Sequence, residues 1–137
     1  RQMLGLSPEW SGVIQDTAST STMVALMTAR EQTTHFSLTR GGLQAEAKPL
    51  IIYMTAHAHS SVDKAALLAG FGRHNIHIVA HDERFAMRPE ALRARIVEDL
   101  AAGLRPCAIA CTAGTTTTTA FDPLAAVAAT VSGMKSL

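Results

Sequence analysis

Hydroxyl and imidazole side chains are concentrated in three short stretches of the sequence, each directly after a predicted strand. The stretches are 16–20, 57–61 and 112–116, which read Asp-Thr-Ala-Ser-Thr, His-Ala-His-Ser-Ser and Thr-Ala-Gly-Thr-Thr. In open α/β sheets the carboxyl ends of parallel strands face the crevice in which phosphates and cofactors bind. The three stretches therefore predict one ligand site that is built from separate parts of the chain.

The first stretch can hold an anion. It lies between a predicted strand and a predicted helix, where free backbone N–H groups and the positive end of the helix dipole favour a phosphate. The alternative is that Ser19 or Thr20 only caps the helix, which is the common use of these residues. The stretch lacks the GxxxxGK[ST] and GxGxxG patterns, so neither ATP nor NAD is favoured.

The second stretch offers an imidazole at the end of a strand. His59 can project over the crevice and stack on a flat ring, a contact worth about 0.5 to 1.5 kcal/mol. Alternatively, it only hydrogen-bonds a neighbouring loop. A third hypothesis pairs it with His57 as zinc ligands, because residues two apart on a strand share a face. No nearby carboxylate or cysteine completes such a metal shell. Ser60 and Ser61 are expected to cap the following helix.

The third stretch places a glycine before a run of threonines. Gly114 permits close approach of the backbone to a ligand. Thr115 or Thr116 can donate a hydrogen bond to a carboxylate or phosphate, whereas the remaining threonines are equally consistent with a solvated loop.

Alternating patterns along the chain predict the elements that carry these stretches. Helices between strands require crossover connections, so the fold class is α/β with a mainly parallel, helix-covered sheet. Residues 31–48 are expected to form an exposed loop. The predicted strands are 12–15, 49–54, 75–80 and 106–112, and the predicted helices are 19–30, 60–70, 88–103 and a last helix capped by Asp122 and Pro123.

Composition limits the class of protein. With 137 residues, 47% of them hydrophobic, the chain can form one domain with a real core. A net charge of +1 with no basic block argues against a nucleic-acid-binding module. The apolar runs are far shorter than the ~20 residues that span a bilayer. Cys107 and Cys111 lie four apart on one predicted strand, too far to pair, which favours reduced thiols in a cytoplasmic protein.

Four motifs follow one another along the chain. They are Gly-Val-Ile-Gln-Asp-Thr-Ala-Ser at 12–19, Ala-His-Ser-Ser-Val-Asp-Lys-Ala at 58–65, Phe-Ala-Met-Arg at 85–88, and Thr-Ala-Gly-Thr-Thr at 112–116 followed by Phe-Asp-Pro at 121–123. In this order they resemble the pyridoxal-phosphate-dependent decarboxylases of the aromatic amino acid, histidine and glutamate decarboxylase group. The resemblance extends over most of the chain and looks closest to the aromatic-L-amino-acid decarboxylase branch. It implies that residues 1–137 are part of an aspartate-aminotransferase-like (type I) large domain.

The resemblance also implies roles for individual residues. Ala18 and Ser19 would hold the phosphate of pyridoxal 5'-phosphate, His59 would stack on its pyridine ring, and Thr115 would lie beside it. The implied activity is a carboxy-lyase acting on aromatic L-amino acids, and the implied full-length enzyme is a homodimer.

Two residues that the family needs are missing from the sequence. The Schiff-base lysine, preceded by histidine, and the aspartate that pairs with the pyridine nitrogen are expected downstream of residues 122–123. The only lysines are Lys48, Lys64 and Lys135, and none follows a histidine. We therefore expect a truncated or divergent piece of a larger enzyme that is inactive alone. The alternatives are a metal-dependent hydrolase using His57 and His59, and a noncatalytic α/β interaction module.

Overall fold

The computed structural model describes residues 8–9 and 11–134. Three parallel strands form one sheet in the order β2-β1-β3, where β1 is Leu50–Thr55, β2 is Ile76–Val79 and β3 is Arg105–Ala110. Among the described residues, β1 is the only hydrogen-bonded neighbour of β3. The mainly parallel α/β sheet that the sequence predicts is confirmed.

Four helices cover the sheet. They are α1 (Ala18–Thr33), α2 (Ser60–Leu68), α3 (Pro89–Ala101) and α4 (Leu124–Met134). Short 3-10 helices lie at Ser37–Arg40, Gly42–Ala45 and Arg73–Asn75. None of the helices in the described part of the chain combines the length and apolar character needed to cross a membrane.

The central strand divides the core into two layers. Successive side chains of a strand point to opposite faces. Leu50 and Ile52 pack with α1 and α2, whereas Ile51 and Tyr53 pack with α3 and α4. All six residues of β1 are buried, which fits a parallel strand that is covered on both faces. Every residue of β3 is half-buried, as expected at the border of a sheet.

The sequence signals for the third helix are confirmed. Pro89 lies in its first turn, where its missing N–H costs nothing. Gly103 follows its C-cap with a φ of 80°, a left-handed conformation that favours glycine. The chain then enters β3 within two residues.

Two predicted features are wrong. Residues 12–15 form no strand, and Val13 and Ile14 are exposed. Their β-branched side chains favour a strand, but no strand in the described part of the chain pairs with them. Residues 31–48 are not one loop, because α1 continues to Thr33 and two 3-10 helices follow. The Glu31 carboxylate accepts hydrogen bonds from the Ser37 hydroxyl and the Leu38 N–H, which orders this segment.

A buried polar network ties the sheet to α3. The Tyr53 hydroxyl donates to Asp99 Oδ2 at 2.8 Å, and His77 Nδ1 lies 2.7 Å from the same oxygen. Arg95 Nε lies 3.3 Å from Asp99 Oδ1. Burial, followed by the hydrogen bond to Asp99, raises the pKa of Tyr53 well above its ordinary value. The hydroxyl is therefore a stable proton donor to a carboxylate that has little access to water.

Both cysteines are free. Cys107 lies in β3, and Cys111 directly follows that strand. Burial raises the pKa of both thiols, so neither is activated as a nucleophile. The expectation of two unpaired thiols is confirmed.

Candidate functional site

The three polar stretches follow different structural elements. Because the strands are parallel, the residues after β1 and β3 emerge at the same edge of the sheet. These residues include His59 after β1 and Thr115 after β3. The first stretch does not follow a strand and instead forms the start of α1.

Thr17 begins α1. Its Oγ1 accepts the Thr20 backbone N–H at 3.1 Å, so Thr17 is the N-cap, and the prediction of Ser19 or Thr20 as the cap is wrong. Ala18 and Ser19 are the first two helical residues, and both are exposed. The first N–H groups of an α-helix have no acceptor within the helix. They point outwards where an anion is favoured.

His59 caps α2. Its Nδ1 accepts the Ser61 backbone N–H at 3.2 Å and lies 2.9 Å from the Ser61 hydroxyl. The predicted capping role of Ser60 and Ser61 is therefore wrong: the imidazole itself is the cap. Since Nδ1 accepts a backbone N–H, the neutral ring carries its proton on Nε2. The ring is exposed.

A cleft of about 280 Å³ lies between α1 and α2. Ser19 and Thr20 line it from α1, and Ser61 and Lys64 line it from α2. The phosphate candidate Ser19 and the residue that orients His59 therefore face one cavity. Two of the three predicted stretches meet there.

Thr115 lies in a different environment. It is buried, and its Oγ1 accepts the backbone N–H groups of Thr118 and Ala120 and lies 2.6 Å from Thr118 Oγ1. No contact within the described part of the chain joins it to Ser19 or His59. Its hydroxyl organises the threonine loop at the carboxyl end of β3.

His57 and His59 do not form a metal site. The His57 ring turns to His81, with 3.3 Å between the two Nε2 atoms, while His59 turns to Ser61. Across residues 8–9 and 11–134, no group of three or more histidine, cysteine or acidic side chains is arranged to hold a metal ion. The alternative of a metal-dependent hydrolase using this pair is not supported.

Asp122 is a residue whose role the sequence did not predict. Its carboxylate does not cap α4 but accepts the Met87 N–H through Oδ1 and the Thr112 N–H through Oδ2, each at 2.7 Å. It therefore ties the segment before α3 to the start of the threonine loop. A buried acidic residue before a proline looks like a helix cap in sequence, and only the fold distinguishes the two roles.

Comparison with known proteins decides the family. The profile of the "Pyridoxal-dependent decarboxylase conserved domain" matches residues 1–134. The chain belongs to the pyridoxal-dependent decarboxylase family. It is 40% identical to the aromatic-L-amino-acid decarboxylase of Bos taurus over 125 residues, which cover 89% of this chain and 25% of that protein.

Solved structures of decarboxylases share the fold. The crystal structure of mouse CSAD superimposes with a TM-score of 0.85 at 35% identity, covering 91% of this chain and 26% of that one. The Oryza sativa TDC structure with PLP and tryptamine gives a TM-score of 0.84 at 30% identity, covering 96% and 28%. The predicted family, fold class and pyridoxal dependence are therefore confirmed. The chain spans about a quarter of the length of the relatives it matches.

Proposed function

We propose that the protein containing this chain is a pyridoxal-phosphate-dependent carboxy-lyase that removes carbon dioxide from aromatic L-amino acids. Residues 1–137 would form part of its cofactor-binding large domain. The observation that carries the proposal is the cleft shared by Ser19 and Ser61, which adjoins His59 in a member of this family. Two helix starts and an oriented imidazole suit a flat, phosphorylated ligand.

The start of α1 would hold the cofactor phosphate. The residues fit this group. Thr17 Oγ1 accepts the backbone N–H of Thr20, and the N–H groups of Ala18 and Ser19 are left for an external acceptor such as the phosphate. The exposed Ser19 hydroxyl supplies a further donor. The positive end of the helix dipole adds about 0.3 to 1 kcal/mol of attraction for an anion.

His59 would stack on the pyridine ring and keep it in one plane. Its Nδ1 is engaged by Ser61, so the ring is fixed in orientation and its Nε2–H remains available to a substrate carboxylate or to a proton-transfer step. When bound, the cofactor ring supplies the electron sink for loss of the carboxylate. The protein contributes orientation and proton control.

Thr115 would act beside the cofactor through its backbone and its loop. Its hydroxyl is already bonded within residues 115–120, so it would position the loop and would not bind the phosphate directly. Asp122 supports the same loop through the Thr112 N–H.

The substrate class rests on the relatives. The Bos taurus relative is named for aromatic L-amino acids, and the Oryza sativa TDC structure contains tryptamine. We further propose a homodimeric, cytoplasmic enzyme. The two free cysteines are consistent with a reducing compartment.

The test is release of carbon dioxide by the full-length protein. We expect decarboxylation of L-tryptophan, L-tyrosine or L-phenylalanine that requires added pyridoxal phosphate, with much slower release from L-glutamate. His59→Ala should lose most of this activity. A full-length protein that gains no cofactor absorbance and releases no carbon dioxide would contradict the proposal, and near-normal turnover of His59→Ala would refute the stacking role.

A further inference from the structure

Three rings meet at the carboxyl edge of the sheet, outside the proposed cofactor cleft. His57 follows β1, and His81 and Phe85 follow β2. The centroids of His57 and His81 are 4.7 Å apart with their planes at 70°, and Phe85 lies 4.7 Å from His57 and 5.5 Å from His81. Both imidazoles are half-buried, and Phe85 packs beside each of them and restricts their rotation.

The hydrogen bonds fix the tautomers of the pair. His81 Nδ1 lies 2.8 Å from the backbone carbonyl of Asp82, which can only accept, so Nδ1 carries the proton. In the neutral ring His81 Nε2 therefore carries a lone pair and can accept a hydrogen bond. His81 Nε2 lies 3.3 Å from His57 Nε2, which must then be the donor.

We propose that His57 and His81 form a two-histidine site for a divalent transition-metal cation of the zinc class. Zinc binds imidazole nitrogen at about 2.0 to 2.1 Å, so two nitrogens on one tetrahedral ion lie roughly 3.3 Å apart. The pair already has this separation. The Asp82 carbonyl on His81 Nδ1 is the outer hydrogen bond that commonly orients a ligating histidine.

Metal binding replaces the hydrogen bond between the rings. The His57 proton moves from Nε2 to Nδ1 through solvent, and both Nε2 lone pairs then bind the ion. The two rings stay neutral, so binding releases no net proton from them. Water fills the other coordination positions, because within residues 8–9 and 11–134 no third histidine, cysteine or acidic side chain joins the group.

The Asp82 carboxylate takes part in the turn that follows His81. Asp82 Oδ1 accepts the backbone N–H groups of Arg84 and Ala86 and thereby shapes the turn that carries Phe85. Asp82 therefore acts on the site through its carbonyl and its turn. An ion held by two imidazoles and water is exchangeable, which distinguishes it from a closed structural zinc site.

The experiment is a calorimetric titration of the full-length protein with Zn²⁺ at mildly alkaline pH, after removal of bound metal with a chelator. We expect His57→Asn and His81→Asn each to lose one bound Zn²⁺ per chain relative to the wild type. His74→Asn is the matched control, since that histidine is exposed and lies outside the ring group. It should keep the wild-type stoichiometry.

A second measurement does not require the His57→Asn and His81→Asn variants to fold, because it uses only the wild type and His74→Asn. Co²⁺ added to the wild-type protein should give a visible absorption band that Zn²⁺ abolishes and that His74→Asn retains. Equal Zn²⁺ stoichiometry in the wild type, His57→Asn and His81→Asn would overturn the proposal and leave the pair as a hydrogen bond only. The titration involves no catalytic readout, so its result is independent of the proposed decarboxylase activity.

Discussion

Asp122 Oδ1 accepts the backbone N–H of Met87 at 2.7 Å across 35 positions of sequence. The second oxygen of the same carboxylate accepts the Thr112 N–H. Met87 and Asp122 are both almost fully buried. One carboxylate therefore holds two loops that follow different strands.

We expect Asp122→Asn to destabilise the protein. The amide keeps one accepting oxygen but presents an N–H₂ group to one of the two backbone donors, leaving that donor unsatisfied. The free energy of unfolding should fall by about 1 to 3 kcal/mol in urea titrations. Glu98→Gln, an exposed change on α3, is the control and should be nearly neutral. Equal stability of the two variants would contradict the loop-holding role.

Tyr53 makes stability depend on alkaline pH. Burial and the bond to Asp99 raise its folded-state pKa, so its contribution is complete below the ordinary tyrosine value of about 10. Above that pH the unfolded chain loses the proton and the folded chain keeps it. Stability should therefore fall by about 1.4 kcal/mol per pH unit relative to Tyr53→Phe. Urea unfolding at several alkaline pH values measures this, and parallel curves for the two proteins would count against it.

Thr17 and Ser19 should separate helix capping from ligand binding. Thr17→Ala removes the N-cap of α1 and should cost about 1 kcal/mol of stability. Ser19→Ala should leave stability nearly unchanged but weaken the affinity of the full-length protein for pyridoxal phosphate. Thermal unfolding and absorbance titration with the cofactor measure the two effects. A larger loss of stability in Ser19→Ala than in Thr17→Ala would indicate that Ser19, and not Thr17, is the N-cap of α1.

Ser61 should tune His59 indirectly. Ser61→Ala removes the hydroxyl that lies 2.9 Å from His59 Nδ1 but keeps the backbone N–H bond. We expect weaker cofactor binding and a smaller loss of activity than in His59→Ala. Ser60→Ala, a change at the exposed neighbouring serine, is the control. Identical cofactor affinities in the two serine variants would exclude the orienting role.

Local signals predicted much of the fold. The apolar run at 49–54 predicts a strand, and Pro89 and Gly103 predict the two ends of α3; the structure confirms both elements. These features depend on a few adjacent residues. The run 12–15 also contains β-branched residues, but within residues 8–9 and 11–134 no strand pairs with it, and strand pairing is a property of the whole sheet.

The candidate site was predictable in its parts but not in its contacts. The sequence placed His59 at the end of a strand and Ser19 at the start of a helix, and the two helix starts do share a cleft. It could not give the partner of His57, because His81 lies 24 residues away and meets it only through the register of β1 with β2. The sequence also could not show whether Asp122 caps α4 or holds two loops together, because its partner Met87 lies 35 positions away.

The position of β3 at the border of the sheet affects any preparation of residues 1–137 without the rest of the protein. A border strand presents unpaired amide and carbonyl groups along its outer side, and such a row is a template for pairing with another polypeptide. A preparation limited to this region would offer that template to its own copies. We therefore expect such a preparation to precipitate through intermolecular strand pairing before any loss of activity can be measured.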